Sequence, residues 1–290
     1  MTSIAIVGPG AIGGTIAAWL AQHPAHQVSI AARTPFTTLH VEHPSGSLTA
    51  HPQVWTDPAQ ARRVEWVLVA TKAYDSASAA QWLTALRDDA TRVAVLQNGV
   101  EHVARFAPHV PAERIVPVMV DCPAERTAPG RIRQRGAIHM VVPQGAAGAA
   151  FVGLFAHSAI DVSETADFTT QVWRKLCLNS AGALSAILLK PAGIVQHDGV
   201  AAIMRQIIAE CAAVARAEGA QLDDSVIDDV IAGMRRSPPD SINSLHADRV
   251  LGRPMEIDAR NGVIVRLGRE HGIATPINEM VVALLEAAQG

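Results

Sequence analysis

Short apolar runs alternate with amphipathic stretches over the first half of the chain. Several of the runs are apolar throughout, which is typical of strands buried on both faces of a parallel sheet. The intervening stretches Gly13–Gln22 and Ser76–Leu86 repeat their apolar residues at helical spacing. Alternating strands and helices predict a doubly wound α/β domain. The predicted strands are Ser3–Val7, Val28–Ala32, Trp66–Ala70, Arg92–Leu96 and Ile115–Val120.

The pattern changes near residue 128. Ala128–Val142 contains Gly, Pro and alternating apolar residues, so we expect a hairpin or edge strands there. One more helix, Gly145–His157, and one more strand, Ile160–Ser163, complete a first domain over residues 1–166. The strand signals then stop, and residues 167–290 are predicted to form an all-helical domain, which leaves a cleft between the two domains for a ligand. Its expected helices are Phe168–Leu189, Gly199–Glu218, a helix that begins at Asp223 and Asp224 and ends near Arg236, Met255–His271 and Pro276–Ala288.

Composition and charge exclude two broad classes of protein. The chain has 290 residues, of which 49% are hydrophobic and 18% are charged, so it can bury a large core and is not disordered. Its 24 Lys and Arg residues against 27 Asp and Glu residues give a net charge of −3. Nucleic-acid binding needs a much larger positive field, and we therefore expect no nucleic-acid partner.

No segment predicts a membrane anchor or an export signal. The longest uncharged stretch in a helical pattern, Leu176–Leu189, is too short and too polar to span a bilayer. The apolar run Ile4–Val7 follows the first three residues directly, which leaves no room for a signal peptide. Cys122, Cys177 and Cys211 are odd in number and lack C-x-x-C spacing, as expected in a reducing compartment. We therefore expect a soluble, cytoplasmic protein with no membrane partner.

A glycine-rich turn follows the first predicted strand and opens the first helix. Gly8-Pro9-Gly10-Ala11-Ile12-Gly13 has G-x-G-x-x-G spacing. Gly8 permits a tight turn, Gly10 lets the backbone approach a pyrophosphate, and Gly13 lets the helix pack close to the strand. The helix N-terminus adds free N–H groups and the positive end of a dipole. The motif and its position together predict a dinucleotide-binding site.

The end of the second strand distinguishes NAD from NADP. An NAD site has an Asp or Glu there, about 20 residues beyond the glycine turn, to bind the ribose 2′-hydroxyl. This strand ends Ala31-Ala32-Arg33-Thr34, without an acid. Arg33 can hold a 2′-phosphate through paired N–H donors, which favours NADP(H). The alternative is that Arg33 is a solvated loop residue.

Polar residues also follow the third and fourth strands of the first domain and recur in the helical domain. Thr71-Lys72 and Gln97-Asn98-Gly99 lie at the strand ends where open α/β sheets bind ligands. Lys175 and Asn179 are four residues apart and therefore share a helix face. Taken alone, these two could be ordinary surface residues. Further along the chain come Ser244, Asp248 and Glu256.

The order of these motifs resembles the ketopantoate reductase (2-dehydropantoate 2-reductase) family. The shared pattern reads G-x-G-x-x-G, T-K, Q-N-G, W-x-K-L-x-x-N, N-S-L-x-x-D and E-I-D-x-x-N-G, and it runs from Gly8 to Gly262. The motif H-G-I-x-T-P at His271–Pro276 is also similar to the family. The resemblance implies a Rossmann domain and a helical domain, with NADPH reducing a 2-keto acid to a 2-hydroxy acid in pantothenate biosynthesis. The apolar helical domain is compatible with a homodimer.

The resemblance also implies roles for residues of this chain. The turn Gly8–Gly13, Arg33, Lys72 and Asn98 would hold the cofactor. Lys175 would be the proton donor, because an ammonium group stabilises the charge that builds on the ketone oxygen and can then deliver a proton. Glu256 would lie at the junction of cofactor and substrate, where it could orient Lys175 or accept a substrate hydroxyl; both roles stay open. The residues implied for substrate binding are Asn98, Lys175, Asn179, Asn243 and Ser244.

The substrate pocket departs from the family pattern. Ala183 and Gly193 stand at two positions where the family usually has Asn, and a third such position falls on Ser241, close to Asn243. Each lost hydrogen bond to a substrate hydroxyl would cost about 0.5–1.5 kcal/mol. Two alternatives to ketopantoate reduction follow. One is a reductase for a different branched or bulky 2-keto acid, and the other is a sensor that binds NADPH without turnover.

Two further features are expected to lack a chemical role. His23-x-x-His26 and His40-x-x-His43 have the spacing of metal ligands, but we place them in loops and at helix ends without a third ligand. We therefore expect no metal site. Cys177 is two residues from Lys175, about 200° around the helix, and is predicted to be a core residue.

Overall fold

The computed structural model describes residues 1–289. Contacts within the chain divide it into two compact units, Met1–Phe168 and the residues from Thr169 onward. The domain boundary drawn from the sequence, between residues 166 and 167, stays a prediction.

The first unit is built from strands and short helices that follow one another along the chain. Its strands are β1 Thr2–Val7, β2 His26–Ala31, β3 Leu39–His43, β4 Gly46–Ala50, β5 Gln53–Trp55, β6 Trp66–Val69, β7 Arg92–Val95, β8 Ile115–Pro117, β9 Met119–Asp121, β10 Ala124–Ala128, β11 Arg131–Gln134, β12 His139–Pro143 and β13 Asp161–Thr165. Its α-helices are α1 Ala11–Leu20, α2 Ser76–Leu86, α3 His102–Phe106 and α4 Ala146–Gly153, with 3₁₀ turns at Pro58–Gln60, Ala73–Asp75 and Ala112–Arg114.

The main sheet has the strand order β5-β2-β1-β6-β7-β8, and every pairing in it is parallel. Its strands are buried on both faces. Ile4 and Ile6 of β1 pack with α1 and α4 on one face, and Ala5 and Val7 pack with α2 and α3 on the other. An order that extends from β1 in both directions is that of the Rossmann dinucleotide-binding fold. The predicted α/β fold with a doubly wound parallel sheet is confirmed.

The run predicted as one strand over residues 115–120 forms two strands in different sheets. β8 ends at Pro117, which pairs with Val95 in the main sheet. Val118 still donates its N–H to the Val95 carbonyl oxygen (3.0 Å), but β9 then pairs antiparallel with β12. The single-strand prediction was wrong because the chain leaves the main sheet after β8 to pair with β12. That pairing involves a later segment, so the local apolar pattern of residues 115–120 does not reveal it.

The sequence pattern missed β3, β4 and β5. β3 and β4 form a hairpin that joins the hairpin β10–β11 in a smaller sheet of order β10-β11-β3-β4. The hairpin or edge strands predicted over 128–142 were wrong, because β11 lies inside this sheet and β12 lies between β13 and β9 in another. Leu39 and Val41 are buried in the apolar cluster beside α1, while His40 between them is more exposed. His40 and His43 therefore lie on a strand, and their assignment to loops or helix ends was wrong.

In the residues described, the second unit is helical, which confirms the predicted all-helical C-terminal region. Its helices are α5 Phe168–Ala181, α6 Ala183–Leu188, a 3₁₀ helix Ala192–Gln196, α7 Asp198–Ala217, α8 Ser225–Arg236, α9 Ser244–Val250, a π-helix Asp258–Gly262, α10 Val263–Glu270 and α11 Pro276–Gln289. The sequence pattern did not predict α9.

Two of the predicted helices are interrupted. The stretch 168–189 breaks at Gly182, whose carbonyl oxygen accepts a hydrogen bond from Asn243 Nδ2 (2.8 Å). A Cβ on Gly182 would lie 3.0 Å from that nitrogen, so a larger residue would crowd this hydrogen bond. The stretch 255–271 is helical only from the π-helix onward. This π-helix buries Arg260 and Asn261, which the sequence did not indicate.

Candidate active site

The glycine turn packs tightly against the end of β6. Gly8 has a φ of +90°, and a Cβ there would lie 2.7 Å from Thr71 Cγ2. A Cβ on Gly13 would lie 2.3 Å from the Gly8 carbonyl oxygen and 2.9 Å from Ala70 Cβ. The packing of the turn against β6 and α1 therefore requires glycine at both Gly8 and Gly13, whether or not a ligand is bound.

Gly10 has the opposite environment. A Cβ on Gly10 would meet no described atom within 4 Å. α1 begins at the next residue, so Ala11, Ile12 and Gly13 form its first turn, which contains no acidic residue and has no side-chain cap. A helix N-terminus that has neither an acidic residue nor a side-chain cap, beside the open space at Gly10, suits an anion. These residues fit the pyrophosphate of a dinucleotide.

Arg33 lies just beyond β2 and forms an ion pair with Asp75. The Nη2–Oδ2 distance is 2.8 Å, and the Arg33 side chain is 84% exposed. Asp75 ends the 3₁₀ turn after β6, so a carboxylate reaches this place from a different strand end. The sequence did not indicate it, because Asp75 follows β6 and is 42 positions from Arg33. An anion that binds Arg33 competes with Asp75 for the guanidinium N–H groups.

Gln97 joins the ends of β6 and β7. Its buried side chain donates from Nε2 to Thr71 Oγ1 and to Ser76 Oγ, at 3.0 Å each, and the Lys72 carbonyl oxygen lies 3.3 Å from the same nitrogen. The Gln97 carbonyl oxygen lies 2.9 Å from His102 Nε2. The two strand ends are therefore held together by hydrogen bonds.

Asn98 follows Gln97 in the sequence, and Lys72 lies beside Gln97 at the end of β6. Both residues are half-buried. Lys72 directly precedes the 3₁₀ turn, and the Asn98 carbonyl oxygen accepts a hydrogen bond from Arg105 Nη1 (2.9 Å). Because Thr71 contacts the glycine turn and Gln97 contacts Thr71, the structure brings Lys72 and Asn98 to the same edge of the sheet as the turn.

In the second unit, Lys175 and Asn179 lie on one face of α5. Both residues are half-buried, at the border between core and surface. Cys177 between them is fully buried, which confirms its prediction as a core residue. Its Sγ lies 3.6 Å from the Sγ of Cys211 on α7, a proximity that a separation of 34 positions in sequence conceals.

Asn243 is the N-cap of α9. Its Oδ1 accepts the backbone N–H of His246 (3.0 Å), and its Nδ2 donates to the Gly182 carbonyl oxygen. Ser244 follows as the exposed first residue of α9. Asn243 thus ties α9 to the break between α5 and α6, and the substrate contacts expected of Asn243 and Ser244 stay predictions.

Glu256 is buried just before the π-helix, with 5% of the residue exposed, and Asp248 on α9 is also buried. Arg260 of the π-helix donates from Nη2 to the Asn179 carbonyl oxygen. Burial lowers the pKa of Arg260 to about 10, although the charges of Glu256 and Asp248 oppose that shift. The guanidinium therefore remains charged at neutral pH, in the field of two carboxylates. Sequence reasoning missed Arg260.

A network of hydrogen bonds fixes the π-helix to its neighbours. Asn261 Nδ2 donates to the Ser180 carbonyl oxygen (3.2 Å) and to Asn278 Oδ1 (2.9 Å). Glu210 on α7 accepts the backbone N–H groups of Ile277 and Asn278, at 2.9 Å each, and also Asn278 Nδ2 (2.7 Å). The segment that carries Glu256 and Arg260 is therefore anchored to α5, α7 and α11.

The positions that depart from the family pattern are closed by protein contacts. Ala183 is fully buried. A Cβ on Gly193 would lie 3.0 Å from the Pro239 carbonyl oxygen. Neither position therefore opens the apolar room that motivates a bulkier substrate.

The described residues also bear on the metal and membrane expectations. Within residues 1–289, no three His, Cys, Asp or Glu side chains are grouped so that they could hold a metal ion. The rings of His23 and His26 lie 4.5 Å apart, and His157 stacks on His23 at 4.9 Å. The helices in this part of the chain are too short or too polar to cross a bilayer.

Comparison with known proteins gives matches over both units. Residues 4–147 match the family described as ketopantoate reductase PanE/ApbA, and residues 167–289 match the family described as ketopantoate reductase PanE/ApbA C terminal. The chain is 58% identical over 288 residues to a 2-dehydropantoate 2-reductase of Caulobacter vibrioides, with 99% of each chain covered. It is 43% identical over 290 residues to the enzyme of the same name from Mycobacterium tuberculosis, covering 99% of this chain and 98% of the relative.

Solved structures share the same fold over nearly the whole chain. A PanE/ApbA family ketopantoate reductase from Ralstonia eutropha superposes with a TM-score of 0.91 at 32% identity, covering 99% of this chain and 98% of that one. A ketopantoate reductase from Staphylococcus aureus described as dimeric has a TM-score of 0.89 at 24% identity, with the same coverage. D-mandelate dehydrogenase in complex with NADH and anilino(oxo)acetate reaches 0.88 at 23% identity, again with the same coverage, and this likeness concerns the fold alone.

Proposed function

This chain belongs to the ketopantoate reductase family, as its motifs predict, and we propose that it reduces 2-dehydropantoate to pantoate with NADPH. The observation that carries the proposal is the 58% identity to a 2-dehydropantoate 2-reductase over 99% of both chains. Identity at that level supports the substrate, whereas the fold is shared with a dehydrogenase that has a different name.

The first unit supplies the cofactor residues. Bound NADPH provides the hydride that adds to the ketone carbon. The turn Gly8–Gly13 receives the pyrophosphate with backbone N–H groups, which the open space at Gly10 supports. Arg33 holds the 2′-phosphate after its guanidinium exchanges Asp75 for the ligand, and Lys72 and Asn98 complete the site.

Lys175 supplies the proton. Negative charge builds on the ketone oxygen as its carbon gains a hydrogen, and an ammonium group at that oxygen stabilises the charge and then donates the proton that completes the alcohol. The same positive charge attracts the carboxylate of a 2-keto acid. A half-buried position on α5 supports this role, since the residue is neither sealed in the core nor fully exposed. A positioned general acid typically contributes about 10²–10⁴-fold in rate.

The remaining site residues bind or orient. Glu256 either orients the Lys175 ammonium or accepts a hydrogen bond from a hydroxyl of the substrate, and an ionised carboxylate performs both roles more strongly than a neutral carboxyl group. Asn98, Asn179 and Ser244 hydrogen-bond the substrate. Asn243 also donates to the substrate, with the Nδ2 hydrogen that does not bind the Gly182 carbonyl oxygen.

The proposal is tested by following NADPH oxidation with ketopantoate and a panel of related 2-keto acids. Lys175→Ala is expected to lower kcat by about 10²–10⁴-fold and to retain NADPH binding. Arg174→Ala is the matched control, because Arg174 is the adjacent residue of α5 and its exposed guanidinium pairs with Asp229 at 3.7 Å. Its turnover should equal that of the unmodified protein.

Other outcomes distinguish the alternatives. Turnover restricted to a different 2-keto acid would move the assignment to that substrate. Tight NADPH binding that is unaffected by Lys175→Ala, with no oxidation by any acid of the panel, would favour a sensor. Fast turnover on ketopantoate that is lost only in Lys175→Ala supports the family reaction.

A homodimer of this chain is the second part of the proposal. Arg249 Nη1 donates to the Ile187 carbonyl oxygen (2.5 Å), so the ends of α6 and α9 meet. At this point Val250 is 61% exposed and Leu251 is 58% exposed, an apolar surface of the kind that a second copy covers. Light scattering after size exclusion should give twice the chain mass, and Val250→Glu should give a monomer. A monomeric unmodified protein would refute this part alone.

A further inference from the structure

Arg260 is a buried charge to which the assignments above give no role. Only 2% of the residue is exposed, and its Nε has no hydrogen-bond acceptor among the described residues. A guanidinium removed from water is unfavourable unless opposite charges and hydrogen-bond acceptors surround it. The groups that interact with Arg260 therefore indicate the role of its charge.

Those interactions lead to two residues of the proposed reaction. Nη2 donates to the carbonyl oxygen of Asn179, one turn beyond Lys175 on α5. Glu256 lies four positions before Arg260 in the sequence, just ahead of the π-helix. Its carboxylate, like that of Asp248 on α9, favours the charged form of the Arg260 guanidinium. Arg260 thus connects the end of α5 that carries Lys175 and Asn179 with the segment that carries Glu256.

Other charged groups lie on the elements around the π-helix: Lys175 on α5, Glu210 on α7, Arg249 on α9, Arg266, Arg269 and Glu270 on α10, and Glu279 and Glu286 on α11. Arg266 lies 3.7 Å from Asp258, Arg269 lies 3.0 Å from Glu279, and Glu210 hydrogen-bonds Asn278 (2.7 Å). Arg260 is the buried cation in this set, and the charges of Glu256 and Asp248 act on it.

We propose that Arg260 is a positioning residue for the reduction, which keeps the Glu256 carboxyl group ionised and holds the Asn179 turn of α5 in place. The proposal rests on the proposed function, since it takes Glu256 and Asn179 as site residues. A nearby cation favours the ionised form of a carboxyl group, so removal of the guanidinium charge makes Glu256 easier to protonate. The protonated side chain loses the negative charge that orients an ammonium group and becomes a weaker acceptor for a hydroxyl group.

The test is the pH profile of kcat/KM for ketopantoate in Arg260→Met, which keeps a long apolar side chain and removes the charge. We expect the acidic limb of the profile to move upward by about one pH unit or more. We also expect kcat/KM at neutral pH to fall at least tenfold, with the Kd for NADPH unchanged by fluorescence titration. Arg260→Lys restores the charge without the planar donor group, so its acidic limb should lie near that of the unmodified protein while its KM stays raised.

Arg249→Met is the matched control. Arg249 is also a guanidinium that binds backbone carbonyl groups, those of Ala186 and Ile187 at the end of α6. Its loss should lower the melting temperature and leave the acidic limb in place. If Arg260→Met lowers the melting temperature but does not move the limb, Arg260 is merely structural and the inference is overturned.

Two further results are decisive. If Arg260→Met does not fold, Arg260→Lys decides alone: a limb that moves in spite of the retained charge, or a KM equal to that of the unmodified protein, overturns the inference. If the unmodified protein does not reduce ketopantoate, the proposed function has failed, whereas an active protein whose limb is indifferent to Arg260 refutes only the positioning role.

Discussion

Gly10→Ala separates the requirements of the fold from those of the cofactor. Gly10 has φ −71° and ψ −159°, an extended conformation that alanine adopts readily, and its new Cβ would meet no described atom within 4 Å. Alanine also reduces the conformational freedom of the unfolded chain, so the substitution should raise the free energy of unfolding by about 0.4–1 kcal/mol. At Gly13 the same change places Cβ 2.3 Å from the Gly8 carbonyl oxygen, and the strain should cost about 1–3 kcal/mol.

The effect of Gly10→Ala on NADPH should have the opposite sign. The added methyl group takes up the space through which the backbone approaches a pyrophosphate. We expect the Kd for NADPH to rise at least tenfold, which corresponds to about 1.4 kcal/mol. Urea unfolding without cofactor and fluorescence titration with NADPH measure the two quantities on the same preparation.

Gly153→Ala is the control for this prediction. Gly153 ends α4, and a Cβ there also meets no described atom within 4 Å. It should stabilise the protein by up to about 1 kcal/mol and leave the Kd for NADPH unchanged. If Gly10→Ala binds NADPH as tightly as Gly153→Ala does, the open space at Gly10 is not the pyrophosphate site and the reasoning fails.

Arg33→Ala should weaken NADPH binding far more than NADH binding in parallel titrations; equal weakening would mean that Arg33 does not contact the 2′-phosphate. Glu210→Ala should cost about 1.5–3 kcal/mol in urea unfolding because it removes charge-assisted hydrogen bonds to α11, while Glu279→Ala, which breaks only an exposed ion pair, should cost at most about 1 kcal/mol. Equal costs would contradict this. Burial, with the charge of Arg249, lowers the pKa of His246 below its ordinary 6.5, so the unfolded chain binds the proton more readily and stability should fall as the pH drops below about 6.5. An unchanged pH dependence in His246→Gln would refute that assignment.

The sequence predicted those parts of the molecule that depend on local pattern. Apolar runs located the strands of the main sheet, and the ends of those runs located Lys72 and Asn98. The turn at Gly8–Gly13 was predictable because each glycine has a separate local reason. Fold and family could therefore be read from residues that lie close together in the chain.

Features that depend on distant partners were not predictable. Arg260 reads as a surface residue, because its burial depends on the Asn179 carbonyl group, 81 positions away. Asp75 reaches Arg33 from another strand end, 42 positions away. β3 and β4 are short and half polar, and their hairpin joins a larger sheet only because β11 pairs with β3. Each feature that was not predicted depends on a contact between distant segments, and not on the residues of one segment.

The side chain of Gln97 has a thermodynamic consequence for the edge of the main sheet. Its hydrogen bonds to Thr71 and Ser76 hold the two strand ends in one arrangement within the protein itself. A ligand that contacts Lys72 and Asn98 therefore meets preorganised loops and restricts little additional backbone motion on binding. Gln97 thus contributes to affinity through entropy, without needing any contact with the ligand.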